Sequence, residues 1–382
     1  MKLAIFTHQY LPRIGGVQVL IQNLIHFLLQ ESEHEILLIA PHYESQTPPV
    51  EKKGRLTIHR PFNPEKKLSV LKALLAFPKL LRDEAPDIVH GQDTLIDGLF
   101  CRYACPKVGI PFLLSTQGEL NPFKRAHIPW STRGKTPYLR WVFRASRAII
   151  TPEPTIMEKL KHHVGLGEQY RYIPNAIYVT QEQSKSSDSD EPRLRELDLK
   201  SNQFFLFLGR LIPEKGVHEI IEAISMISSE MREKNFHFFF SGTGSAEEAL
   251  KKETSSKGLE DLILYSNHIL PNDKWVLLRH CRSMVLPSWE ENLPISILES
   301  FGLETPIIGS DIPEIEALMP TPAVGKTFKR KNSKDLARCL QEDMASSAEK
   351  APKDFKRAMA PYDLRQMGDQ LLNLYEGLPS PK

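Results

Sequence analysis

The sequence predicts an α/β protein built from two doubly wound, parallel-sheet domains, and three observations carry that expectation. Short, uninterrupted apolar runs rich in β-branched and aromatic residues alternate with segments of helical periodicity, as strands buried on both faces alternate with their crossover helices. That rhythm runs through the first half, breaks at a polar stretch and starts again in the second half. At 382 residues, 41% hydrophobic and 25% charged, the chain has a globular composition and is long enough for its core to divide into two of roughly 150–200 residues each.

In the first half, residues 3–6, 35–40, 87–90, 112–115 and 148–150 read as strands. Residues 66–82, with Leu68, Leu71, Leu75 and Leu81 among lysines, read as an amphipathic helix whose leucines pack on the core. Pro174-Asn175 leads into residues 181–192, which hold Ser, Asp, Lys and Gln and hardly an apolar side chain, as a linker or exposed loop does. The second half has strand-like runs at 204–208, 236–240, 284–287 and 306–309, with a helix over 217–227. The expected division is a first domain over 1–178, a linker over 179–202, a second domain over 203–358 and a C-terminal segment over 359–382. In that last segment Leu364, Leu371, Leu372 and Tyr375 keep helical spacing.

Composition excludes several function classes. A formal net charge of +2 is too small to predict a nucleic-acid partner. Cys101, Cys105, Cys281 and Cys339 form no Cys-x-x-Cys pair and read as buried, reduced thiols, which suits a cytoplasmic protein. The chain enters its first strand without an apolar leader, and no apolar run approaches the roughly 18 residues of a membrane span, so neither secretion nor a spanning helix is expected.

Ligands of doubly wound sheets collect where strands end, so the chemistry is expected in the loops after strands. After residues 3–6, Gly15-Gly16 precede a helix starting near Val17. Glycines there let backbone N–H groups meet a phosphate, although a tight turn also needs glycine. The order is not Gly-x-Gly-x-x-Gly, which argues against a dehydrogenase. After residues 204–208, the loop Gly209 to Gly216 carries Arg210 and Lys215, two charges able to clamp a diphosphate as it leaves, or simply a solvated basic pair. After residues 284–287, Glu291 stands on a loop and Glu299 about two turns into the next helix. Carboxylates there can accept hydrogen bonds from sugar and ribose hydroxyls, with the N–H groups of Asn292 and Leu293 beside them. Glutamates near a helix start are equally ordinary surface residues.

Taken in order, Gly-Gly, Gly-Arg-x4-Lys-Gly, Ser241-Gly242-Thr243-Gly244 and Pro-Ser-x2-Glu-x7-Glu, with Ile173-Pro174-Asn175-Ala176 at the junction, resemble glycosyltransferase family 4 over nearly the whole chain. The resemblance implies the GT-B fold, two Rossmann-like domains facing a central crevice, with the first domain taking the acceptor, the second the nucleotide-sugar donor, and the C-terminal helix crossing back to the first. It implies a retaining transfer that needs no metal or other cofactor, the leaving diphosphate itself accepting the acceptor proton. By the same resemblance Gly16, with Gly15 beside it, meets the donor phosphate. Arg210 and Lys215 hold the diphosphate, Glu291 touches the donor sugar and Glu299 the ribose. His268 and Ile269 lie where relatives grip the base.

One departure stands out. Where relatives carry Thr-x-His-Gly or Pro-Arg-Gly, this chain reads Ser115-Thr116-Gln117-Gly118. Gln117 can hydrogen-bond a hydroxyl but carries neither proton nor charge. His90 is the nearby candidate for the same crevice, or a structural hydrogen-bonder. On the acceptor side, residues 121–148 hold seven Lys or Arg and no Asp or Glu, interleaved with Phe123, Trp130, Tyr138 and Trp141. Such a patch suits an anionic membrane or a lipid-linked acceptor, or a helix with solvated arginines. The expected activity is therefore transfer of a sugar from a nucleotide-sugar to a glycan, lipid-linked or small-molecule hydroxyl. The alternatives are a catalytically silent binding subunit and another GT-B enzyme such as a sugar-nucleotide epimerase.

Overall fold

The computed structural model describes residues 1–12, 15–43, 47–117, 120, 134–266, 273–291, 293–346 and 352–378, without the side chains of 181 and 182. The chain folds into two compact units, Met1–Ile177 with Tyr362–Lys382, and Tyr178–Pro361.

The first unit holds eight strands: β1 Lys2–Phe6, β2 Glu35–Pro41, β3 Val50–Lys53, β4 Leu56–Phe62, β5 Ile88–Gly91, β6 Phe112–Ser115, β7 Ala148–Thr151 and β8 Tyr170–Tyr172. They lie in the order β3-β4-β2-β1-β5-β6-β7-β8, parallel except for β3, which pairs antiparallel with β4. Strand alternation feeds two separate cores. Leu3 and Ile5 join one cluster with Ile21, Leu24 and Leu28 of helix α1 (Gly16–Glu31) and Met367, Leu371 and Tyr375 of the helix Leu364–Glu376. Ala4 and Phe6 join the other, with Ala73, Phe77 and Leu81 of helix α2 (Lys67–Glu84) and Phe100, Cys101 and Ala104 of helix α3 (Ile96–Val108). The leucines of α2 divide against expectation: Leu81 is fully buried, but Leu68, Leu71 and Leu75 are 63%, 52% and 60% exposed. The helix carries two apolar faces, and the sheet covers the one built on Ala73, Phe77 and Leu81.

The second unit holds β9 Phe204–Leu208, β10 His237–Ser241, β11 Ile263–Ser266, β12 Met284–Leu286, β13 Ile307–Ser310 and β14 Gly325–Phe328. Their order is β11-β10-β9-β12-β13-β14, and every pairing is parallel. The polar run 181–192 folds instead of trailing as an exposed loop. Short helices form at Gln181–Ser184 and Asp190–Glu196, and Asp190, expected in solvent, is only 2% exposed. Its carboxylate accepts from Arg279 Nη2 at 2.8 Å and faces His280 Nε2 at 3.0 Å. Opposite charge at that distance offsets the desolvation that a lone buried carboxylate would suffer.

Candidate functional site

In each sheet one strand is followed to one side and then to the other, and loops on both sides of such a switch point diverge to leave room for a ligand. In the second unit that strand is β9, between β10 and β12; in the first it is β1, between β2 and β5.

At the second unit's switch point, the loop after β9 carries Arg210 and Lys215 and the loop after β12 carries Glu291. The two loops are bound to each other: Trp289 N–H donates to the Glu214 carbonyl at 2.9 Å, and the Trp289 indole to Glu219 Oε1 at 2.8 Å. Lys215 Nζ pairs with Glu291 Oε1, and Ser288 Oγ donates to the same oxygen at 2.6 Å. The Glu291 side chain is 9% exposed and Lys215 20%, so the couple sits at the lip of the unit's surface, wet enough to exchange partners. Arg210 is exposed and has no ion-pair partner among the described residues. Glu299, buried to 4% on the helix Ile295–Gly302, accepts from Lys274 Nζ at 2.7 Å. Lys274 also lies 4.2 Å from the Trp275 ring centre.

Glycine is what allows these loops to meet. Gly216 adopts φ +66°, and a Cβ on it would stand 2.1 Å from the Pro287 carbonyl oxygen. Gly242, at φ +149°, has the Gly209 carbonyl oxygen 1.9 Å from where its Cβ would be. No L side chain fits either place without moving backbone. Leu293 precedes the helix Ile295–Gly302 and is half-buried. Asn292, His268 and Ile269 lie outside the described residues.

At the first unit's switch point the recess has no charged side chain in its lining among the described residues. Gly15 caps α1 in extended conformation, and the first turn of α1 holds no acidic residue, leaving its dipole uncompensated there. His90, 2% exposed, faces the Tyr375 hydroxyl through Nδ1 at 2.7 Å and Ser115 Oγ through Nε2 at 2.8 Å. Burial lowers its pKa to about 3, so the ring is a neutral link and not a proton carrier at physiological pH. His90, Ser115, Gln92, Gln117 and Asn175 line a small recess, bordered on one side by Leu20 and Leu24 of α1 and Met367 and Leu371 of the C-terminal helix. Gln92 is 5% exposed, and its Nε2 is buried without a hydrogen-bond partner. Asn175 Nδ2 donates to Gln117 Oε1 at 3.5 Å.

Beside that recess, Asp97 of α3 is fully buried. It accepts from the His8 backbone N–H at 3.0 Å and faces His8 Nδ1 at 2.9 Å. Burial raises its carboxyl to about 6, with His8 pulling the other way. His8, Asp93 and Asp97 have ligand atoms within 4.8 Å of one another, a set with metal-binding chemistry. Those atoms already serve the fold: Asp93 Oδ1 accepts from Leu95 and Ile96 N–H at 2.8 and 2.7 Å, holding the turn that leads into α3.

Sequence reasoning missed Lys274, Gln92 and the His8–Asp97 brace. The i, i+4 spacing of Asp93 and Asp97 at a helix start was the available signal for the last. Nothing in the local sequence marks Lys274, whose partner is 25 residues away.

Comparisons with known proteins bear on the family and the fold. The family profile described as Glycosyltransferase Family 4 matches residues 14–181, and the one described as Glycosyl transferases group 1 matches residues 190–359. The alpha-D-kanosaminyltransferase of Streptomyces kanamyceticus is 28% identical over 213 residues, 53% of this chain and 54% of that protein. The GDP-mannose-dependent alpha-mannosyltransferase of Mycolicibacterium smegmatis is 24% identical over 234 residues, 58% and 59%. The chain thus spans little more than half the length of these relatives. Among solved structures, sucrose-phosphate synthase from Thermosynechococcus elongatus superposes with a TM-score of 0.82 at 16% identity, covering 98% of each chain, and shares the fold.

Proposed function

The chain belongs to the group 1, family 4 glycosyltransferases of GT-B fold, and from that premise we propose that it is a retaining enzyme moving a sugar from a nucleoside-diphosphate sugar to a hydroxyl group. The observation that carries the proposal is the Lys215–Glu291 couple at the second unit's switch point. A diphosphate is a stronger partner for lysine than a single carboxylate, so the donor would draw Lys215 away, and Arg210 would add a second charge. Glu291, released but still held by Ser288, could then accept from a donor sugar hydroxyl. Binding thereby arms the carboxylate that reads the sugar. Lys274 orients Glu299 in the same way for the ribose.

In the transfer itself, the bond from the anomeric carbon to the phosphate oxygen breaks, and the acceptor oxygen bonds to that carbon on the same face. The acceptor proton passes to the departing phosphate oxygen. This fits the first unit, where His90 is neutral and bonded through both nitrogens and Gln117 has no proton to exchange. The recess lined by Gln92, Gln117 and Asn175 offers amides to an uncharged hydroxyl group of a glycan, lipid-linked or small-molecule acceptor, while the turn of α1 at Gly15 and Gly16 offers N–H groups to a phosphate. The basic loop supplies the charge neutralisation that a metal supplies elsewhere. The four buried free cysteines support a cytoplasmic setting.

A catalytically silent donor-binding subunit is the second reading, favoured by Gln117. Incubating the protein with a panel of nucleotide sugars, with and without chelator, separates the two. Slow donor hydrolysis that survives chelation is expected. Tight nucleotide binding with no turnover of any donor would support the silent subunit, and loss of turnover on chelation would point to the His8, Asp93 and Asp97 group.

A further inference from the structure

We propose that the outward face of α2 is a lipid-docking surface that seats the first unit on an anionic membrane. Leu68, Leu71 and Leu75 fall at i, i+3 and i+7, within an arc of about 60° at the 100° per residue of an α-helix. They are 52–63% exposed. The opposite face, through Ala73, Phe77 and Leu81, is the one buried in the core. A single exposed leucine needs no explanation, but three in line form a contiguous apolar stripe, which soluble surfaces rarely keep without an occupant.

The charges beside the stripe select the occupant. Lys66, Lys67, Lys72, Lys79 and Arg82 are all exposed, and no Asp or Glu occurs between Lys66 and Arg82. Lys72 and Lys79 stand four residues beyond Leu68 and Leu75, along the flank of the stripe. Their long stems can lie against acyl chains while their ammonium groups reach headgroup phosphates. Glu65 and Asp83, at the two ends, are the exposed acids nearest the stripe in sequence; along its length the rim is cationic, and an apolar stripe so flanked matches an anionic bilayer surface on both counts. A spanning role does not arise, since among the described residues no helix is long and apolar enough to cross a membrane.

The placement is useful to a transferase. In a parallel crossover, α2 begins where β4 ends, so Leu68 and Leu71 lie at the carboxyl edge of the sheet, the edge that carries the recess. Of the patch at 121–148, residues 121–133 lie outside the described residues, and beyond them Arg140 Nε donates to the Val164 carbonyl at 3.0 Å. The inference rests on the α2 surface alone, so failure of the donor reaction leaves it standing.

Co-sedimentation of the full chain with vesicles tests it. Binding is expected to phosphatidylcholine vesicles containing phosphatidylglycerol, to fall steeply as salt is raised, and to be weak on pure phosphatidylcholine. Leu68→Gln/Leu71→Gln/Leu75→Gln and, separately, Lys72→Gln/Lys79→Gln should each weaken partitioning about tenfold. Both should keep the parental melting temperature and donor turnover, because the changed side chains are exposed. Should the triple variant melt lower, Leu71→Trp decides: its emission should shift to the blue on anionic vesicles only. Absence of binding by the parent, equal binding to neutral vesicles, or undiminished binding by both variants would overturn the proposal. So would a dimer that the leucine variant lacks and vesicles do not dissolve, since the stripe would then be an interface between copies.

Discussion

At the second unit's switch point Lys215 meets Glu291 on loops pressed together at Gly216 and Gly242, with Lys274 and Glu299 paired between two helices; at the first unit's, a neutral histidine and three amides line a recess that holds no charged side chain among the described residues. The sheets obey the same winding rule, and each places its loops where a ligand can enter. What differs is the electrostatic character written on those loops. On the proposed function, topology decides where each half of the reaction is handled, and side-chain ionisation decides which partner each half would take: an anion that must be neutralised, or an alcohol that must only be held.

That contrast can be broken from either side. The largest effect is expected at the charged end. Lys215→Ala should lower kcat/KM for the donor about a hundredfold, roughly 2.7 kcal/mol, whereas Glu291→Ala made on top of it should cost much less than it does alone. Strictly additive losses would mean that the couple does not act as a switching pair.

The next effect is at the neutral end and is read in stability. Because the His90 pKa is about 3 in the folded chain and about 6.5 in the unfolded one, the unfolded chain takes up the proton first as pH falls. The associated stability is fully present above about pH 6.5 and is lost progressively toward pH 3. Asp97, raised to about 6, contributes with opposite sign and is common to both proteins being compared. Between pH 7.5 and pH 4.5, the parent should therefore lose about 2–3 kcal/mol more than His90→Gln in denaturant titrations, with donor hydrolysis at neutral pH changed less than threefold. Equal losses would mean that His90 is not held neutral.

The smallest effect is at Lys274. Lys274→Met should raise the KM for donor about tenfold, about 1.4 kcal/mol, with kcat nearly unchanged and partial rescue by Lys274→Arg. A fall in kcat alone would remove Lys274 from donor binding.

How much of this was legible in the sequence follows the same contrast. Strands β1, β2, β5, β6, β7, β9, β10, β12 and β13 are buried on both faces and read directly as apolar runs. β3, β4, β8, β11 and β14 lie at or near sheet edges, are short or half-exposed, and carry polar residues such as Glu51 and Lys52 that hide them. The loops of the second unit's switch point were visible because glycine, lysine and glutamate keep a fixed spacing. Their pairing was not, since Lys215 and Glu291 are 76 residues apart and only the strand order unites them. Residues 66–82 misled for a different reason: periodicity reports that a helix has an apolar face, and α2 has two, so spacing alone could not say which one the sheet would cover.

The helix Leu364–Glu376 completes the first unit from the far end of the chain, supplying Met367, Leu371 and Tyr375 to its core and the hydroxyl that meets His90. Seen from the ribosome, the second unit is an insertion, and all of its residues emerge before those that finish the first. The first unit must therefore wait, its α1 face uncovered, until the residues that follow the second unit have been made. A nascent chain halted between the two would hold a second unit complete in sequence and a first unit still lacking its last wall.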